Sequence, residues 1–213
     1  MVNVDSWRGR GYLVGSPGAA RQGLAIHGYG GNSGEMLGLA VDLAARLNLR
    51  LLVFDLPGHG GFAREPLTRA AALSALESAL GGLEAPAFFI GHSLGARLGL
   101  EAGLETAVLI SMPGSASFAG SRHELMRTLR ARRVNEPRPL QGLEEILAGQ
   151  ARPAPRTLLL RARHELDSVI SLTAAWEKRG LCCRKIKDSS HNDIISSAAA
   201  RETIAAWLEE NLP

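Results

Sequence analysis

A serine with glycine two residues to either side, Gly91-His92-Ser93-Leu94-Gly95, is the stretch of this chain best suited to chemistry. It follows the apolar run Ala87–Ile90 and precedes Ala96–Ala102, which reads as a helix. Strand, G-x-S-x-G, helix is the order of a nucleophile elbow. So sharp a turn strains the serine backbone and crowds its neighbours, so both flanking positions call for glycine or another small residue. The serine hydroxyl is then held clear of the sheet, open to a base on one side and a substrate on the other.

A serine hydroxyl is a weak nucleophile and needs a base. The histidines are His27, His59, His92, His123, His164 and His191. His92 adjoins Ser93, and neighbouring side chains at an elbow point apart. His27 and His59 sit in tight turns ahead of the serine and read as braces for their own loops. His191 follows the last predicted strand, in the polar loop Lys187–Asp193, ahead of the final helix. That loop emerges at the same sheet edge as the elbow, which makes His191 the expected base.

An acid must orient the imidazole and stabilise its positive charge. In the order serine, acid, histidine it falls between the Leu158 strand and His191, where Glu165 and Asp167 both qualify. Asp167 precedes Ser168-Val169-Ile170, a plausible loop-to-helix junction, and is the expected acid, with Glu165 the alternative. Acyl transfer further needs donors for a developing oxyanion. The Leu94 N–H at the start of the elbow helix is one. The Tyr29 N–H, in the glycine-rich loop Gly28-Tyr29-Gly30-Gly31, is the expected second. A phosphate-binding reading of that loop fails, since Ser33 stands where a third glycine belongs and no Walker lysine is present. Metal ligation finds no support, because no two histidines have helical ligand spacing and the cysteines are adjacent. No cofactor is expected.

These residues need elements to position them. Gln22–Ile26, Leu49–Phe54, Ala107–Ile110 and Thr157–Leu160 are short apolar runs that read as buried strands. Glu35–Leu47, Thr68–Leu80, Ser168–Arg179 and Ser196–Leu212 read as helices, with Thr68 as an N-cap and Gly81-Gly82 as a stop. Leu181–Ile186 is a further strand, and Trp7–Val14 an edge strand. Strands that alternate with helices and lack polar alternation predict a mostly parallel sheet covered on both faces, an α/β fold. Sites in such folds lie beyond the carboxyl ends of the strands, where these candidates all fall.

The composition sets limits. The chain has 213 residues, which fits a single domain over 1–213. A formal net charge of +3 is mild, and 5% aromatic content with no basic, aromatic-interleaved helix argues against nucleic acid as a partner. Cys182 and Cys183 are adjacent and read as reduced thiols on a strand. No signal-like opening and no apolar run long enough for a bilayer lead to the expectation of a cytoplasmic protein without a membrane partner.

His27-Gly28-Tyr29-Gly30-Gly31, Asp55-Leu56-Pro57-Gly58-His59-Gly60, Gly91–Gly95, Asp167 and His191, taken in order, resemble the α/β-hydrolase superfamily. The resemblance implies Ser93, His191 and Asp167 as a triad, and Tyr29 and Leu94 as oxyanion donors. It also implies a structural role for the Asp55–His59 loop. One departure is visible: members commonly carry Gly-x-x-Asp after the strand, where Ala162-Arg163-His164-Glu165 stands here. At about 112–155 the family inserts a cap. Leu125, Leu129 and Val134 are candidates to pack over the site. Arg122, Arg127, Arg130, Arg132, Arg133 and Arg138, against Glu124 and Glu136, read as a solvated face, with an anion-attracting lid as the alternative.

The expected activity is hydrolysis of a carboxylic ester or thioester of a small molecule through an acyl-enzyme. Two alternatives stand beside it. Asp55–Gly60 and Arg97 also resemble the menaquinone-pathway synthases, lyases that eliminate pyruvate using the triad as a base, although Arg97 equally suits an i,i+4 pair with Glu101. The other is a non-catalytic binding protein on the same fold. Monomer and homodimer are both left open.

Overall fold

The computed structural model describes residues 2–114 and 129–212. Arg122, Glu124, Leu125, Arg127 and His123 lie outside the described residues. The strands are β1 (Val4–Ser6), β2 (Gly11–Val14), β3 (Arg21–Ile26), β4 (Leu49–Phe54), β5 (Pro86–His92), β6 (Thr106–Ile110), β7 (Arg156–His164) and β8 (Cys182–Ser190). The helices discussed below are α1 (Ser33–Leu47), α2 (Arg69–Leu80), α3 (Leu94–Gly99), α4 (Gln141–Leu147), α5 (Asp167–Glu177) and α6 (Ala198–Asn211).

One eight-stranded sheet runs in the order β1-β2-β4-β3-β5-β6-β7-β8. β2 is antiparallel to both β1 and β4, and every pairing from β4 to β8 is parallel. Of the stretch Trp7–Val14 that reads as an edge strand, only Gly11–Val14 is strand; this β2 forms a hairpin with β1 across a turn that includes Arg8 and Gly9, both at positive φ.

The unbroken apolar runs form parallel strands because both sheet faces are covered. Alternate residues of each strand feed opposite cores. Leu52, Phe54, Phe89 and Leu109 pack with Leu76 of α2, Leu98 of α3, Ile146 of α4 and Trp176 of α5. Leu51, Val53, Phe88, Ile90 and Val108 pack with Met36, Leu39 and Leu43 of α1 and with Ile204 and Leu208 of α6. Each fully buried Leu, Phe or Met contributes about 1.5–3 kcal/mol. The caps follow the chemistry of the sequence. Asn32 accepts the Gly34 N–H at 2.9 Å to start α1, and Thr68 accepts the Ala71 N–H at 3.1 Å to start α2.

The chain passes from β3 to β4 on one side, then crosses back to place β5 on the other side of β3. That reversal opens a crevice beyond the carboxyl ends of β3 and β5, the position where such sheets bind ligands. Two strands run further than their apolar cores. β7 continues past the buried Ala162 through the polar Arg163 and His164, and β8 through Lys187–Ser190, because the two pair along this length. Glu165 and His191 therefore stand directly at strand ends.

Within the 112–155 stretch, α4 packs against α2 and α3. Val134 is buried, whereas Leu129 is exposed. Cys182 and Cys183 are free thiols, both half-buried on β8. Among the described residues, no helix is long and apolar enough to cross a membrane.

Candidate active site

Ser93 sits between β5 and α3 with φ 51° and ψ −113°, outside the ordinary allowed regions. Its N–H donates to the Ile110 carbonyl at 2.8 Å, which ties the turn to β6. The flanking glycines are required by contact. A Cβ on Gly91 would run into the Ala96 backbone, and one on Gly95 into the Ile26 and His27 carbonyls. The first turn of α3 thus lies directly on the end of β3. Leu94 is the first residue of α3, so its N–H has no partner within that helix.

His191 Nε2 lies 3.1 Å from Ser93 Oγ. Its other nitrogen, Nδ1, hydrogen-bonds the carboxylate of Glu165. The expectation of Asp167 as the acid is therefore corrected. β7 runs to His164, so Glu165 is the first residue after the strand and its longer side chain reaches inward. Asp167 lies in the first turn of α5 and is exposed. There a carboxylate favours the helix dipole. Leu166, not Asp167, occupies the N-cap position.

The Glu165 side chain is fully buried. Burial alone pushes its pKa up, but the hydrogen bond and charge of His191, with the Ser111 hydroxyl and with the Leu166 N–H at 2.9 Å, outweigh burial and hold it below the usual value. The carboxylate is thereby kept ionised, as a partner for an imidazolium must be.

The glycine-rich loop after β3 is held by two neutral histidines. His27 Nε2 accepts the Leu56 N–H at 3.0 Å, so Nδ1 carries the proton given to the Gly28 carbonyl at 2.7 Å. His59 Nε2 accepts the Gly30 N–H at 3.0 Å, and its Nδ1 donates to the Pro57 carbonyl at 2.8 Å. Burial pushes His27 down to about 3 and lowers His59 as well, so both stay uncharged. The Gly31 N–H also donates to the Gly28 carbonyl, at 3.1 Å. Because the peptide unit is planar, fixing that carbonyl turns the Tyr29 N–H the opposite way.

Asp55 joins the two loops to α1, accepting the Ser33 N–H at 2.6 Å and the Gly61 N–H at 2.7 Å. This matches the structural role expected of the Asp55–His59 loop. Sequence reasoning did not identify what fastens residues 130–142 here. Arg130 donates to the Tyr29 carbonyl at 3.1 Å, and the Tyr29 hydroxyl donates to Glu136. Glu136 also accepts the Leu140 N–H at 2.7 Å and the Gly142 N–H at 3.1 Å. No short-range pattern carries a tie across such sequence distance.

Arg97 is buried on α3, with a nitrogen that a Cβ on Gly149 would approach to 3.0 Å. Glu101 forms its ion pair with Arg69 at 3.2 Å. Among the described residues, no group of three or more His, Cys, Asp or Glu side chains could hold a metal ion.

The family model described as "Alpha/beta hydrolase family" matches residues 24–208. No curated protein matches the chain. Solved structures do. BpoC from Mycobacterium tuberculosis H37Rv, a candidate non-heme bromoperoxidase, is 15% identical with a TM-score of 0.70, covering 99% of this chain and 96% of its own. The RedJ thioesterase of the prodiginine pathway in Streptomyces coelicolor is 19% identical with a TM-score of 0.66, covering 92% and 87%. BorB, a type II thioesterase from the borrelidin biosynthetic cluster, is 18% identical with a TM-score of 0.64, covering 92% and 93%. At these identities the structural likeness speaks to the fold. The family match spans most of the chain and includes Ser93, Glu165 and His191: this protein belongs to the alpha/beta hydrolase family.

Proposed function

We propose that the protein is a serine hydrolase that cleaves a carboxylic ester or thioester of a small molecule through a Ser93–His191–Glu165 triad. One observation carries the reading. A serine on a strained elbow lies 3.1 Å from an imidazole whose far nitrogen meets a buried carboxylate. Ser93 attacks the acyl carbonyl while His191 takes its proton through Nε2 and then gives it to the leaving alcohol or thiol. Glu165 keeps the Nδ1–H tautomer and stabilises the imidazolium. The N–H groups of Leu94 and Tyr29 receive the oxyanion, each worth about 3 kcal/mol of transition-state stabilisation. Water, activated by His191, then releases the acyl group.

The thioesterase activities named for RedJ and BorB favour including thioesters. In this reading the chain is one domain, and residues 112–155 are a short cap whose far end is held on the Tyr29 loop. The reaction takes place in the cytoplasm, where the free thiols of Cys182 and Cys183 stay reduced. Arg97, the cation on which the lyase alternative calls, is buried with a terminal nitrogen near Gly149, which weighs against that alternative.

Turnover of p-nitrophenyl esters and acyl thioesters tests the reading. Replacing Ser93 with alanine should lower kcat on the order of 10⁶-fold. Equal turnover by wild type and Ser93→Ala would refute it.

A further inference from the structure

We propose that His92 is a positioning residue for the base, gripping the His191 backbone while the adjacent Ser93 meets its ring. The proposal rests on the reading of His191 as the base. The elbow sends neighbouring side chains apart, so His92 turns inward and is 1% exposed. Its Nε2 lies 2.7 Å from the His191 carbonyl. A carbonyl only accepts, so Nε2 carries the proton and Nδ1 does not. Nδ1 is buried and has no hydrogen-bond partner among the described residues. It faces Gly28, where a Cβ would come within 2.8 Å.

A buried imidazole with one unpaired nitrogen is costly, and a leucine would fill the space without that cost. What offsets it is the bond to His191. Ser190 is paired to His164 in the sheet, and the next polar ties of the loop are internal, from the Ser190 N–H and hydroxyl to Asp193 at 2.6 and 2.8 Å. These shape the loop without fixing it to β5. The His92 bond crosses from the loop backbone to the strand that carries the nucleophile. Residues 92 and 93 therefore hold the base from both ends in one frame.

The donor also needs to be neutral. A lysine or arginine would donate, but would set a like charge beside the imidazolium formed during acyl transfer. The two rings are only 5.2 Å apart. Burial, which pushes His92 down to about 3, keeps it uncharged.

His92→Gln places an amide N–H close to the position of Nε2, whereas His92→Leu and His92→Asn cannot reach the carbonyl. The three variants and wild type are compared by fluorophosphonate labelling rate, final labelled fraction, and kcat and KM on one p-nitrophenyl ester. His92→Leu and His92→Asn should label about 10–100-fold more slowly, with kcat reduced alike, and still reach full labelling. KM should stay within about twofold, and His92→Gln should recover to within about threefold of wild type. Wild-type rates in the Leu and Asn variants would overturn the proposal. So would equal impairment of all three, which marks a packing role alone. Should the Leu variant not fold, the Gln and Asn pair decides the matter. Absence of labelling in wild type would instead strike the serine-hydrolase reading itself.

Discussion

Glu165 stays charged in a buried position because His191 offsets its desolvation, and that pairing separates it from Asp167 two residues on. Replacing Glu165 with glutamine keeps the shape but removes the charge and favours the wrong imidazole tautomer. Esterase kcat should fall about 10³–10⁴-fold. Asp167→Asn should stay within about threefold, since that carboxylate is exposed in the first turn of α5. Steady-state kinetics of the two variants decide between the carboxylates, and the reverse ranking would restore Asp167. Both residues are visible in the sequence as candidates. The choice between them was not legible, because it depends on where β7 ends. Arg161–His164 lies beyond the strand expected at Thr157–Leu160, and it is strand because β8 pairs with it. Ser93 and His191 were legible for a different reason. The flanking glycines of Ser93 answer a local steric demand, and His191 follows a strand in a fold whose active edge is known once the strands are counted.

The elbow and the loop after β3 form one packed unit, not two independent turns. Gly95 carries no side chain because the Ile26 and His27 carbonyls occupy that space. Both are backbone atoms and cannot swing aside. Gly95→Ala should cost about 3 kcal/mol in urea unfolding, along with most activity. An unchanged midpoint would show that α3 moves freely on β3. Thr68→Ala at the start of α2 should cost about 1 kcal/mol without lowering kcat, since that cap lies outside the site. Caps and apolar runs were readable because they are short-range. The Tyr29–Glu136 bond spans 107 residues and only the folded chain displays it.

The whole molecule buries histidines that must remain neutral, and this links its stability to pH. His27 and His92 are both held at about 3, far below the ordinary 6.5, chiefly by burial. Below pH 6.5 the unfolded chain takes up protons that the folded one refuses. Stability is therefore fully present above about pH 6.5 and lost as pH falls toward 3, by up to about 1.4 kcal/mol per pH unit for each histidine. Glu165, held below its usual value, adds to the loss as pH falls below the ordinary carboxylate range. Melting temperatures should hold steady from pH 8 to 7 and drop steeply from pH 6 to 4. A flat profile across that lower range would mean these histidines are not buried neutral.

The same sheet reversal that creates the crevice brings residues 93, 165 and 191 together from three strand ends, and their joint action is the central claim. Mapping a fluorophosphonate adduct by peptide mass spectrometry tests it most directly. The expected result is a single adduct on Ser93, formed at least about 10³-fold more slowly in Glu165→Gln and His191→Ala than in wild type and Asp167→Asn. An adduct on another residue, or equal labelling of all four proteins, would contradict it.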